Sequence, residues 1–267
     1  MKLSNTMKRI ILMLGMLVCI LAAHAVFAQQ GVITYENRVN MHRNIPADRQ
    51  EMKAMVPEFR TTKMQLFFND EESLYKPVIE DEAEQFSGGG GGMRMSFRMP
   101  KTETYTNSST SMILSLQELM GKKYLITDTV KMSPWKLGTE TKDILGYVCK
   151  MAYFTLTTEM TTMRMENGIA TPEKRTITQE ITAWYTDQIR PSLGPERFNT
   201  LPGTVLALDV NNGERVIVAR NVELRELKKD ELKAPDASTK VTQAEFRKIQ
   251  EEQMEKMRAN GRTFMRN

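Results

Sequence analysis

Histidine and cysteine are nearly missing from this chain, with two of each among 267 residues. His24 and Cys19 fall within a leader-like start, so the remainder holds His42 and Cys149 alone. Nucleophilic triads and zinc sites draw on several His, Cys and acidic groups together, and this remainder cannot supply them. One cysteine also excludes an intramolecular disulfide, even in an exported setting that would permit one. Net charge is scarce as well. Lys2, Lys8 and Arg9 supply three of the four net positive charges, which leaves no electrostatic footprint for nucleic acid. A phosphate-cradling loop is lacking too, because the five glycines from Gly88 to Gly92 have no Lys-Ser/Thr continuation and join no strand to a helix. Apart from the first 28 residues, no apolar run is long enough to span a bilayer.

Those 28 residues read as a secretory signal. Lys8 and Arg9 form the positive start, Ile10 to Leu21 the apolar segment, and Val26-Phe27-Ala28 the small-residue cleavage site before Gln29. An uncleaved anchor is the alternative, since Ile10 to Ala28 approaches the ~20 residues a span needs. Lipid attachment at Cys19 is rejected because Val18 before it is too large. The expected location is therefore the periplasm or the outer membrane's surface.

What is present is mostly strand pattern. Val32 to Val39 alternates, Lys63 to Asn69 and Ser73 to Pro77 read as a hairpin, and Ala47 to Met55 has a helical tendency. Residues 79–101 lose all periodicity and read as a flexible glycine-rich loop inside one sheet. Thr104 to Leu116, Lys123 to Thr127 and the segment around Trp135 read as further short strands. Ile144 to Met165 gives the longest β signal. Lys174 to Tyr185 returns beside it, and Pro172 implies a connection of more than two residues. Asn211-Asn212-Gly213 between Thr204 to Val210 and Arg215 to Leu224 marks the clearest hairpin. Thr242 and Glu245 form a capping box that starts a helix over Thr242 to Arg258, whose thin apolar stripe suits either a solvated or a docked helix.

The densest stretch runs from Trp184 to Val210, where Pro191, Gly194, Pro195, Pro202 and Gly203 shape a loop between two strands. Trp135-Lys136-Leu137 with ETKDILGYVCKMA, and AWYTDQIRPSLGPERFNTLPG, resemble the GLPGLI family of exported bacterial proteins, found mainly in the Bacteroidetes. The resemblance runs from about Val32 to Leu227. Of the six signature positions, Leu201, Pro202 and Gly203 are identical, while Thr200, Thr204 and Val205 differ. The substitution at Thr200 puts any strained turn at that position in question. The resemblance implies an antiparallel, β-rich exported protein with no established activity, and by fold-level analogy a curved sheet like the half-barrels of periplasmic lipoprotein carriers.

The expected organisation is a signal peptide over 1–28, a β-rich α+β domain over 29–233 and a charged helical tail over 234–267. The expected function is non-enzymatic binding of an envelope protein or apolar ligand, without a cofactor, through the curved sheet and the loop at Trp184, Tyr185, Leu201, Pro202 and Gly203. Two alternatives stay open. Met93, Met95 and Met99 in the glycine-rich loop, with Met160, Met163 and Met165 near Asn167, offer thioethers that suit Cu(I), or else fill gaps. Glu180, Asp187 and Glu196 could serve an envelope hydrolase, or be solvated charges. Cys149 reads as a buried small hydrophobe, with a redox role as its alternative, and His42 as a surface residue.

Overall fold

A computed structural model describes residues 29–45, 47–78, 102–166 and 169–264. Its strands are β1 (Gly31–Asn40), β2 (Phe59–Phe68), β3 (Glu72–Pro77), β4 (Glu103–Asn107), β5 (Met112–Leu119), β6 (Lys122–Thr129), β7 (Lys136–Ile144), β8 (Tyr147–Glu166), β9 (Ile169–Thr186), β10 (Thr204–Val210), β11 (Arg215–Leu224) and β12 (Thr239–Thr242). One helix, α1 (Gln243–Phe264), follows, and Ala47–Ala54 forms 3₁₀ turns where a helical tendency was expected. The strands make one 12-stranded curved sheet in the order β12-β6-β5-β4-β3-β2-β1-β11-β10-β9-β8-β7. The mainly β, antiparallel expectation holds, with β12 on β6 as the parallel pair.

Alternation builds the core. Ile33 and Tyr35 on β1 stand opposite Leu66 and Met64 on β2, and Leu66 stands opposite Tyr75 on β3. With Phe68, Ile181, Leu206, Leu208 and Ile217 they line the inner face of the curve, nearly all fully buried. The Tyr35 hydroxyl donates to the Val205 carbonyl at 2.7 Å, which satisfies a buried polar group two strands away. The chain after β11 crosses the other face, where Lys76 Nζ donates to the Glu231 carbonyl at 3.4 Å. It then adds β12 to the β6 edge, so residues beyond 233 join the same sheet. The capping box forms as expected: Thr242 N donates to Glu245 Oε2 at 2.7 Å and Glu245 N to Thr242 Oγ1 at 3.3 Å. The helix docks by its first turns, with Phe246 buried against Tyr124 and Ile126.

Three expected boundaries shift. Thr104 to Leu116 is two strands, because Asn107 Oδ1 accepts from Thr110 N at 3.0 Å and Ser111 turns the chain at φ 54°. Ile144 closes β7, since Leu145 and Gly146 turn at φ 56° and 81°. The β8 to β9 connection is two residues long, with Glu166 opposite Ile169 and Pro172 inside the strand opposite Met163. Proline is tolerated there because β10 stops pairing at Ile181, so β9 is an edge at Pro172.

Candidate functional site

The segment between β9 and β10 is the shaped loop, and its geometry is that of a brace. Ile189, Leu193 and Leu201 are at most 2% exposed within the inner-face core. Its polar groups reach strands far away in sequence. Arg190 donates to the Glu72 carbonyl of β3 at 3.2 Å, and Asn199 Nδ2 to Thr106 Oγ1 of β4 at 3.3 Å. Arg197 binds Asp128 of β6 at 2.6 Å and Gln243 of α1 at 3.3 Å, while Glu196 pairs with Arg215 of β11. The loop thus ties both halves of the sheet together over its inner face.

Gly203 is required by proximity. A Cβ there would lie 2.3 Å from the Thr186 carbonyl oxygen and 2.8 Å from a Tyr185 ring carbon. Leu201 is buried, Pro202 exposed and Tyr185 buried. Trp184 is half-buried beneath Lys142, whose Nζ lies 5.8 Å from the ring centre. The left-handed residues of the loop are Ser192 and Glu196, at φ 57° and 56°, and Thr200 is not among them. Instead Thr200 Oγ1 accepts from the Trp135 indole at 3.0 Å and from Ser133 N at 3.4 Å. Trp135 in turn meets Phe154 edge-on at 4.5 Å, with Phe198 at 6.4 Å.

The candidate chemistry disperses. Asp187 is exposed and pairs with Lys150 at 2.6 Å, whose hydrogen bond and charge hold its carboxyl below the usual range. Glu196 is engaged by Arg215, and Glu180 stands on β9 opposite Thr155. Each acidic residue therefore has its own surroundings, and no group of three His, Cys, Asp or Glu that could hold a metal occurs among the described residues. Met93, Met95 and Met99 lie outside the described residues. Met160, Met163 and Met165 lie on β8, where alternation assigns position 160 to one face and positions 163 and 165 to the other. Cys149 is fully buried, and burial followed by the Asp143 charge pushes its thiol up to about 11. His42 Nε2 lies 2.8 Å from the Val56 carbonyl.

Two features were not read from the sequence. Beside Asp128 a groove of about 660 Å³ is lined by Thr110, Met112, Thr129, Gln243 and Arg247. Burial alone would raise the Asp128 carboxyl, but the Arg197 hydrogen bond, the Thr129 N–H and the nearby cations outweigh it and hold the group below its usual range. The second feature is a string of exposed apolar side chains along the β7–β8 hairpin: Leu137, Leu145, Val148, Tyr153 and Leu156, from 37% to 62% exposed. Each looks like ordinary strand patterning in sequence. Their exposure at the β7 end of the sheet order is visible only in the fold.

No helix among the described residues is long and apolar enough to cross a membrane. No curated protein matches the chain. Two solved structures of PNGF-II, in P21 and C2 space groups, are similar in fold, each with TM-score 0.51 and 16% identity over 83% of this chain. This chain spans 33% and 32% of those chains, and at that identity the likeness shows the fold alone. A family described as "Protein of unknown function (Porph_ging)" is matched by residues 135–207, the stretch that contains both blocks of the GLPGLI-type resemblance.

Proposed function

We propose that this protein is an exported, non-enzymatic binding protein of the cell envelope, and that it meets a protein partner along the β7–β8 hairpin. The observation that carries the reading is the exposed series Leu137, Leu145, Val148, Tyr153 and Leu156 at one end of the sheet, where Leu137 and Leu156 share one face and Tyr153 stands on the other, so the partner grips the end of the sheet from both faces. Scattered apolar residues are normal, but a series concentrated on one hairpin favours an interaction site. The shaped loop supports the same reading by exclusion: Leu201 and Leu193 are buried in the core, so little of it is offered to a ligand. The inner face is filled by Ile33, Tyr35, Phe68 and Leu206, which leaves an apolar ligand less well served than a surface partner. The partner meets side chains rather than backbone, because β7 carries Lys136, Glu140, Lys142 and Asp143 and a register break between Leu137 and Thr141.

Photo-crosslinking in cells tests this. A benzophenone side chain at Leu137 or Tyr153 is expected to give a discrete adduct, and the same group at exposed Pro202 none. Adducts from Pro202 alone would return the binding role to the loop.

A further inference from the structure

The residues that lead into β1 are seated in the fold rather than frayed from it. β1 runs between β2 and β11, with Gly31 opposite Phe68 on one side and Leu224 on the other. A side chain at Gly31 would run into the Glu223 carbonyl, so the two backbones come close there. Gln30 is held twice: its carbonyl accepts from Arg225 N at 3.1 Å and its Oε1 from Leu227 N at 3.3 Å. Gln29, next to it, is half-buried, and its Oε1 is shut away from solvent with no donor among the described residues. The first residues of a domain usually fray into water, so this burial asks for a reason.

Cleavage after Ala28 would make Gln29 the first residue of the mature chain. An α-ammonium would then join the amide nitrogen and the stranded Oε1. A cation and an unpaired amide oxygen are both costly where water is partly excluded. Glutamine in first position can remove most of that cost by its own chemistry.

We infer that Gln29 is a modification site: once the leader is removed it closes into pyroglutamate, and the fold seats this neutral lactam at the head of β1. The unprotonated α-nitrogen attacks the side-chain Cδ. The N–Cδ bond forms, the Cδ–Nε2 bond breaks, and ammonia leaves with the proton that the attacking nitrogen gives up. The step is redox-neutral and needs no second reactant. An α-amino group titrates near pH ~8, so part of it is nucleophilic in neutral surroundings. Closure deletes the cation and the amide NH2 and leaves an N–H beside a carbonyl, which suits a half-buried position better. It also denies aminopeptidases the free amine they act on. The inference rests on the reading of an exported chain cleaved after Ala28, and it is independent of the β7–β8 surface.

Protein recovered from the envelope fraction of cells expressing the full chain tests this, by intact mass before any digestion and by Edman degradation. The expected mass is that of residues 29–267 less one ammonia. Sequencing should be blocked until pyroglutamyl aminopeptidase removes the first residue. Gln29→Ala has no side-chain amide to close, and should show full mass and sequence freely. An open Gln29 at full mass overturns the modification and leaves export standing, and so does a block that persists in Gln29→Ala. A recovered chain that retains residues 1–28 overturns both readings, and a start at any other residue overturns the modification.

Discussion

Thr200 occupies a position where the resembled signature has glycine, and its hydroxyl takes the Trp135 indole hydrogen bond at 3.0 Å. Thr200→Val should destabilise the protein by about 1–2 kcal/mol, the cost of leaving a half-buried indole N–H unpaired, while Thr200→Ser stays near wild type. Urea denaturation of the two variants checks this, and equal loss in both would mean that packing matters more than the bond. Cys149 gives a second prediction. A thiol that is fully buried and raised to about 11 is almost entirely protonated near pH 7.5, so a maleimide should label it only after unfolding. Labelling of the native protein within minutes would restore a redox role. A third concerns acid. The Arg225 hydrogen bond, against a smaller opposing effect of burial, lowers the Glu231 carboxyl from 4.5 to about 2. The depressed value means that the contribution of the Arg225–Glu231 pair is complete above pH 4.5 and is lost as pH falls towards 2. Amide exchange around Lys228, whose N–H donates to Glu231 at 2.6 Å, should accelerate over that window beyond the intrinsic rate, and in Glu231→Gln the pH-dependent change should vanish.

At the scale of elements, legibility followed local chemistry. The β10–β11 hairpin was readable because Asn211, Asn212 and Gly213 take φ 53°, 49° and 89°, which few other residues adopt comfortably. The β4–β5 turn was missed because it is made by an Asn107 side chain and Ser111, without glycine or proline. Pro172 misled for a different reason: whether proline fits a strand depends on which neighbour that strand has, and sequence does not show neighbours. The β9–β10 loop was legible as rigid and as a corner. Its bracing role was not, because Glu72, Thr106 and Asp128, which receive it, lie more than 60 residues away in the chain. Leu201→Ala should therefore cost about 2–5 kcal/mol, as for a core leucine. Gly203→Ala should cost at least as much, since the new methyl meets backbone at 2.3 Å. Thermal unfolding checks both, and a loss under 1 kcal/mol in Leu201→Ala would contradict the brace.

For the whole molecule, composition settled fold class early because alternating strands and turn signals recur throughout, and scarcity of His and Cys narrowed the chemistry. The candidate surface stayed hidden because Leu137, Val148 and Tyr153 alternate as in any strand, and the pattern does not show that β7 and β8 lie at the end of the sheet order with these side chains uncovered. The central claim is that binding resides at this edge while the loop holds the fold. Crosslinked-partner yield and melting temperature, measured together for Tyr153→Glu and Leu201→Ala, test it most directly. The account predicts that Tyr153→Glu loses the adduct formed from Leu137 yet melts within ~2 °C of wild type, whereas Leu201→Ala melts lower by about 4 °C or more and keeps the adduct below its transition. Retention of the adduct by Tyr153→Glu, with its loss in still-folded Leu201→Ala, would contradict it.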